Sequence, residues 1–289
     1  MSIDPRSYTY PDDIHKDRIV LITGSSDGIG KALALHAASL GAQVILHGRS
    51  VPKLEKVYDA IEEIEGAPRP SIAVVDLESA NAESYTTLAD SIAAEFGRLD
   101  GLVHNASILG ERFSIEQYDA VMWQKVMHVN VTATFALTQV FLPLLQESSD
   151  ASVIFTSSGV GRTGKAFWGA YAVSKFATEG LSQVLADEHR HSDLRSNCIN
   201  PGATRTNMRL AAYPAEDRDK LKRPEEILAP EIYLVGPDRT GVTGERFGAP
   251  DVPLRDRAHA PVAVSGPGSF RAGGWAVSVP ARGRDEWGG

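Results

Sequence analysis

Ser158, Tyr171 and Lys175 have the residue types and the spacing from which chemistry can be argued. Tyr171 and Lys175 are four residues apart, so on a helix they project from one face, one turn from each other. Ser158 stands thirteen residues before the tyrosine, across a loop containing Gly159, Gly161, Gly164 and Gly169. A loop that folds back would bring hydroxyl, phenol and ammonium onto one reacting carbon. Ser157 is the alternative hydroxyl, and the spacing to Tyr171 favours Ser158. A Tyr-x-x-x-Lys pair is common on helices, so its weight depends on the elements around it.

The loop starts where an apolar, β-prone run over 151–156 gives out, and Tyr171 falls in a helical pattern over 168–189. Residues 18–23 form another short, continuous apolar run, which suits a strand buried on both faces of a parallel sheet. Further strands are expected at 43–47, 71–75, 101–104 and 194–200, with a short last one at 244–247. Helices are expected at 51–65, 80–96 and 224–235, and from Ile29 through Leu33 and Ala37 to Leu40, stopping at Gly41. Residues 114–145 read as a long, mostly helical stretch broken near Pro143. This β/α alternation predicts one doubly wound parallel sheet, an α/β fold.

Residues 1–16 are polar, carry Pro5 and Pro11, and read as an N-terminal arm before a domain spanning 17–249. Residues 204–222 are polar but contain Met208, Leu210 and Tyr213. They read as a mobile lid over the carboxyl edge of the sheet, where α/β proteins bind ligands. From Pro250 on, the chain is rich in Gly, Pro, Arg and Ala and has no lysine, so little regular structure is expected over 250–289.

The 289 residues are 43% hydrophobic and 23% charged, with a formal net charge of -8. That balance makes nucleic acid and anionic membranes poor partners. The N-terminus has no apolar core, and no apolar run approaches the roughly 20 residues that span a bilayer. One cysteine, Cys198, in an apolar run, suits a reducing cytoplasm and an inert buried thiol. The eight histidines show no metal-like clustering.

Between the first strand and first helix lie Thr23, Gly24, Ser25, Ser26, Asp27, Gly28, Ile29 and Gly30. Bare glycines let backbone N–H groups approach a phosphate, and a helix N-terminus adds a favourable dipole. A dinucleotide is the expected ligand. NAD-binding folds place a carboxylate at the end of the second strand for the ribose 2′-hydroxyl. This chain has His47-Gly48-Arg49-Ser50 there, and the Arg49 guanidinium suits a 2′-phosphate, so NADP(H) is favoured over NAD(H). Asp76 is placed to accept a hydrogen bond from the adenine amino group, or to cap a helix.

Taken together these residues resemble the short-chain dehydrogenase/reductase family. The likeness runs from about Arg18 to Phe247. It rests on Thr23-Gly24-x-x-x-Gly28-Ile29-Gly30, Asn105-Ala106, Asn130, Ser158, Tyr171-x-x-x-Lys175 and Asn200-Pro201-Gly202. A narrower resemblance is to the YciK-like bacterial oxidoreductases, through Ser26–Gly30, Leu99–Ala106, Trp168–Tyr171, Ser174–Gly180 and Cys198–Gly202. Two departures stand out: Ser107 replaces the family's glycine, and the chain after Pro250 is unlike the family's C-terminus.

The resemblance implies a single Rossmann-type domain with a mainly seven-stranded parallel sheet, helices on both faces, and hydride transfer between a nicotinamide and a carbonyl or alcohol carbon. It implies Tyr171 as general acid/base, Lys175 as the cation beside it and ligand of the nicotinamide ribose, and Ser158 as donor to the substrate oxygen. A phenol titrates near pH ~10, and a cation within about 4–6 Å is expected to lower that. Asn130 is implied to hold a water relaying protons from Lys175 to solvent. Leu77 joins the cofactor set, and Pro201, Gly202, Thr204 and Thr206 are implied to orient the carboxamide. Leu109, Val160, Phe167, Trp168, Met208 and Tyr213 are the expected pocket walls, whose apolar character favours an apolar substrate. A homodimer or homotetramer is implied through the long helices. The competing reading, a dinucleotide sensor without turnover, has no need of the four residues Asn130, Ser158, Tyr171 and Lys175 together.

Overall fold

The structure, a computed structural model, describes residues 4–239 and 241–248; the expected tail at 250–289 lies outside them. Seven strands form one parallel sheet: β1 (Ile19–Thr23), β2 (Gln43–Gly48), β3 (Ser71–Val74), β4 (Gly101–His104), β5 (Ala151–Thr156), β6 (Leu194–Asn200) and β7 (Arg246–Gly248). Their order is β3-β2-β1-β4-β5-β6-β7. The order reverses between β1 and β4, which opens a crevice at their carboxyl ends. The runs are continuously apolar because both faces are covered: every residue of β1, β4 and β5 is buried.

One face carries α1 (Gly28–Ser39), α2 (Val51–Glu62) and α8 (Ala229–Val235), whose Leu33, Leu54, Ile61 and Ile232 pack on Val20, Ile22 and Leu46. The other carries α3 (Ala82–Phe96) and α5 (Ala133–Gln146), whose Tyr85, Leu88, Leu137 and Phe141 pack on Leu21, Ile45 and Phe155. α6 (Gly169–Glu188) shares that face through Leu181 and Leu185, and α4 (Ala120–Met127) and α7 (Asn207–Ala212) complete the α-helices of the described residues.

The long helical stretch breaks elsewhere than expected. Pro143 sits inside α5 on its exposed side, where the carbonyl it leaves unpaired meets water. The interruption is a π turn at His128–Thr132, between α4 and α5. Such an inserted residue turns side chains off the helical register and is frequent at functional sites; here it buries Val129 and the polar Asn130. By length and apolarity Ala120–Gln146 is the one helix among the described residues that could span a membrane. Its Val129, Leu137, Phe141 and Leu145 are buried against the sheet, as in a core helix.

The segment read as an arm is docked. Tyr8 packs edge-on against Tyr233 at 5.1 Å and donates to Asp238 at 2.6 Å, while His15 Nε2 bonds the Ile232 carbonyl at 3.1 Å. The stretch read as a lid contains α7 and is closed on itself by a bridge between Thr204 and Lys222. At the opposite end of the sheet from the crevice, fully buried Arg239 donates to both the carboxylate and the carbonyl of Asp150, at 2.7 and 3.0 Å, and to the Leu234 carbonyl at 2.6 Å. Arg18 donates to the other Asp150 oxygen at 3.0 Å.

Glu231 on α8 is buried with neither carboxylate oxygen hydrogen-bonded, and burial pushes its pKa up to about 8. Its folded pKa lies above the unfolded one, so its contribution to stability is complete below the carboxylate's ordinary range and is lost as pH rises towards about 8. Glu231→Gln removes that loss. The variant is expected to gain on the order of 2 kcal/mol relative to wild type between mildly acidic and mildly alkaline pH. Denaturant melts of both proteins at the two pH values read the difference, and any fixed packing penalty of the amide cancels. Parallel pH curves would show that Glu231 is not held neutral.

Candidate active site

The crevice is a cleft of ≈ 550 Å³ whose lining includes Gly24 to Gly30 at one end and Ser158, Tyr171 and Lys175 at the other. Its floor is the turn after β1. Gly24 and Gly28 take φ of 68° and 55°, which favour glycine. A Cβ on Gly30 would stand 2.4 Å from both the Asn105 amide and the Gly24 carbonyl oxygen. This close packing is fastened by Asn105 Nδ2, which donates to the Thr23 carbonyl at 3.0 Å, and by Thr23 Oγ1, which accepts from the Asn105 and Ala106 amides at 3.0 Å each. Ser26, Ile29 and Ala106 line the same wall. Asp27 caps α1, accepting from Gly28 N at 2.7 Å, and its other oxygen accepts from Asn207 Nδ2 at 2.9 Å. Glycine backbone at a helix N-terminus fits a pyrophosphate, with the Ser26 and Asp27 side chains also in the lining.

Arg49 lines the cleft with its side chain 63% exposed. No carboxylate was expected beside it, yet the fold supplies two from the turn after β3: Glu78 at 3.6 Å and Asp76 at 4.0 Å. Sequence order hid them because β2 and β3 are neighbours only in the sheet. Asp76 Oδ1 accepts from Glu78 N at 3.1 Å, and α3 is capped by Asn81 instead. Leu77 is buried beside them and also lines the cleft. At the other wall Pro201, Gly202, Thr204 and Thr206 follow β6. The turn is set by Asn200 Oδ1, which accepts from Gly202 N at 3.0 Å, and Thr206 Oγ1 caps α7 through Arg209 N at 3.1 Å.

Tyr171 and Lys175 project from one face of α6, as their spacing requires, and both are buried. Lys175 Nζ lies 5.6 Å from the centre of the Tyr171 ring and donates to the Thr156 carbonyl at the end of β5 at 2.7 Å. The loop between folds back because Gly161 has no side chain: a Cβ there would meet Lys175 Cβ at 2.8 Å. The Ser158 side chain faces Tyr171, and its Oγ accepts from Val160 N at 3.5 Å. The Ser157 hydroxyl instead donates at 2.6 Å to buried Glu179, which Arg162 and Arg246 neutralise at 2.8 and 3.3 Å. Glu179 escaped the sequence reading although it lies one turn beyond Lys175, on the same helical face. Ser158→Ala is therefore expected to lower carbonyl reduction by about 10²-fold, the loss typical of one donor at a developing oxyanion. Ser157→Ala is expected to act on melting temperature instead. Steady-state rates and melts of both variants compare them, and equal rate losses would contradict the assignment.

One expectation is corrected. Tyr171 is not depressed by Lys175. Burial pushes it up to about 12, opposed only by the Ser158 hydroxyl that faces it, while burial lowers Lys175 to about 8. In the chain itself the loss of hydration outweighs the attraction between the two groups. The Asn130 side chain is engaged within the protein. Its Oδ1 accepts from Ile108 N at 2.8 Å, and its Nδ2 donates to the Ile108 carbonyl at 2.9 Å and to Ser174 Oγ at 3.0 Å. The side chain ties the loop after β4 to α6.

Of the expected walls, Leu109, Trp168 and Met208 line the cleft. Val160 and Tyr213 pack behind Trp168, Tyr213 at 5.8 Å ring to ring, and are not in the lining. Phe167 points out, 56% exposed at a φ of 68°. The lining also contains Ile108, Arg209 and Ala212, which no motif marked, and Ser107, the departure from the family's glycine. Arg112, also unmarked, stacks between Trp168 and Tyr213 at 4.7 and 4.8 Å. Cys198 is buried with its thiol pushed up to about 12, which leaves it protonated and inert. Among the described residues no group of His, Cys, Asp and Glu is arranged to hold a metal.

Residues 18–217 match the short chain dehydrogenase family. The chain is 50% identical to the uncharacterized oxidoreductase YciK of Escherichia coli K12 over 242 residues, 84% of this chain and 95% of that protein. A short chain dehydrogenase of Shigella flexneri 2a complexed with NADP superposes at a TM-score of 0.80 with 49% identity, covering 82% of this chain and 99% of that one. One of Escherichia coli CFT073 complexed with NADPH superposes at 0.81 with 50% identity, covering 83% and 99%. Fold, glycine turn and Ser-Tyr-Lys constellation agree with these likenesses: the chain belongs to the short chain dehydrogenase family of oxidoreductases.

Proposed function

We propose that the protein is an NADP(H)-dependent oxidoreductase that reduces an apolar carbonyl compound or oxidises the corresponding alcohol. One observation carries this reading: Tyr171, with Ser158 facing it and Lys175 one turn away, opens into the same cleft as the glycine cradle and Arg49. NADP(H) use is supported by the cradle, by Arg49, and by the complexes of the two relatives. When bound, the nicotinamide supplies or accepts the hydride. The protein's part is the proton and the charge on oxygen. Ser158 donates to the substrate oxygen and Tyr171 delivers its proton there. A phenol pushed up to about 12 remains a proton donor throughout the neutral range. The Lys175 ammonium stabilises the negative charge that develops on the phenol and is held in place by the Thr156 carbonyl. Asn130 acts by positioning α6 against the loop after β4. The dinucleotide-sensor reading is not favoured, since the proton donor, cation and oxygen donor are all present.

The test is loss of NADPH absorbance with a panel of apolar aldehydes, ketones and quinones. Turnover of none of them, with NADPH still bound, would return the protein to the sensor class. With a substrate found, the pH profile follows from Lys175. Its charge is present below about 8 and lost above, so reduction is expected to hold steady through neutral pH and fall beyond that value. A rate that rises across that range would remove Lys175 from the mechanism.

The same reading makes residues 204–222 a substrate lid. Asn207 anchors its helix to Asp27, and Arg112 holds its far end by donating to the Ala212 carbonyl. NADPH should then slow proteolysis there, and unchanged cleavage would argue against a lid. Val173, Phe176 and Val184 form an exposed stripe on α6, and Val121 on α4 and Phe135 on α5 are exposed too. A second copy covering it gives the homodimer or homotetramer, and light scattering showing a monomer would exclude that. Cytoplasmic residence is expected and is checked by cell fractionation.

A further inference from the structure

We propose that Glu78 and Lys125 set how strongly the protein discriminates NADP(H) from NAD(H), by controlling the availability of Arg49. Neither residue belongs to a motif of the glycine turn or the catalytic helix. Glu78 lines the cleft and divides its carboxylate between two cations: Oε2 faces Arg49 Nη1 at 3.6 Å and Oε1 binds Lys125 Nζ at 2.6 Å. The second contact is much the shorter. Lys125 comes from α4 and reaches Glu78 from outside the cleft lining, and nothing in the dinucleotide-binding turns requires a lysine there.

The argument is one of competition. Arg49 can pair with Glu78 or with a 2′-phosphate, and the phosphate carries more charge than a carboxylate. A bare glutamate at this place would hold the guanidinium and also repel the phosphate. Lys125 takes up most of that charge, leaving Glu78 a weak rival. Asp76 also faces Arg49, at 4.0 Å, but its Oδ1 is engaged by the Glu78 amide. The nearby cation Lys53 has its own partner, Asp27, at 4.0 Å. All these groups are partly exposed, so each effect is modest and screened by salt.

This inference rests on the NADP(H) reading, and the experiment separates the two. Dissociation constants for NADPH and NADH are measured by fluorescence titration on full-length wild type, Glu78→Gln, Lys125→Met and the double variant, at low and high salt. Glu78→Gln should bind NADPH about three- to fivefold more tightly and Lys125→Met about three- to fivefold more weakly, both at low salt. NADH, which lacks the 2′-phosphate, should move little. In the Glu78→Gln background Lys125→Met should have almost no effect, because the charge it screens is gone. Two results overturn the proposal: weaker NADPH binding in Glu78→Gln, which would make Glu78 a support for Arg49, or an equal loss from Lys125→Met in both backgrounds, which would make Lys125 a direct ligand. Equal wild-type affinities for NADPH and NADH would instead overturn the cofactor reading itself.

Discussion

Replacing Tyr171 with phenylalanine is expected to lower kcat/KM for carbonyl reduction by about 10²–10⁴, the range a positioned proton donor contributes. NADPH binding and melting temperature should stay near those of wild type. The reasoning is local. The ring is buried against Trp168, with 5.7 Å between ring centres, and phenylalanine keeps that packing. What it removes is the hydroxyl that Ser158 faces, one turn from Lys175. Lys175→Arg is a poorer probe, because the Thr156 carbonyl accepts a compact ammonium in a fully buried place. Steady-state kinetics with a substrate from the panel, run beside an NADPH titration, separate lost chemistry from lost binding. A variant that keeps more than a tenth of the activity would place the proton donor elsewhere.

The largest effect on stability is expected far from the cleft. Asp150→Ala leaves Arg239 and Arg18 without the carboxylate that both share. Arg239 is fully buried, and a charge stranded in that way typically destabilises by about 3–5 kcal/mol. Asp150 is itself partly exposed, and its carbonyl still accepts from both arginines, so the lower end applies. For a domain of this size about 3 kcal/mol corresponds to a fall in Tm on the order of 6–12 °C. Asp219→Ala is the control. Its pair with Arg205 is equally short, 2.9 Å, but the aspartate is 90% exposed, and such pairs contribute less than about 1 kcal/mol. Thermal melts of the two variants should differ clearly. Similar shifts would mean that burial of Arg239 does not govern the effect.

These two residues also mark where the sequence was legible. Tyr171, Lys175, Ser158 and the glycines were readable because their roles depend on short, periodic spacing within one βα unit. The strands were readable because a sheet covered on both faces demands unbroken apolar runs. Asp150, Arg18 and Arg239 were not, since their partnership joins three distant stretches by side-chain geometry alone. Glu78 beside Arg49 failed for the same reason: it enters through the pairing of β2 with β3. The π turn at His128–Thr132 misled in another way. Proline announces a break by its chemistry, whereas an inserted helical residue leaves no mark in composition, so the break was assigned to Pro143. The pocket walls were half right because position near Tyr171 in sequence says nothing of direction. Trp168 faces the cleft, while its neighbour Phe167, in a left-handed conformation, faces out.

The central claim is that Tyr171, Ser158 and Lys175 serve hydride transfer at a substrate carbon held in this cleft. The most direct measurement supplies NADPH carrying deuterium at the transferable position and follows the label by mass spectrometry across the carbonyl panel. The account predicts that wild type delivers deuterium to the carbinol carbon of at least one apolar product, and that Tyr171→Phe binds the cofactor yet delivers almost none. Label transfer that proceeds equally well in Tyr171→Phe, or that never occurs while NADPH is bound to wild type, would contradict it.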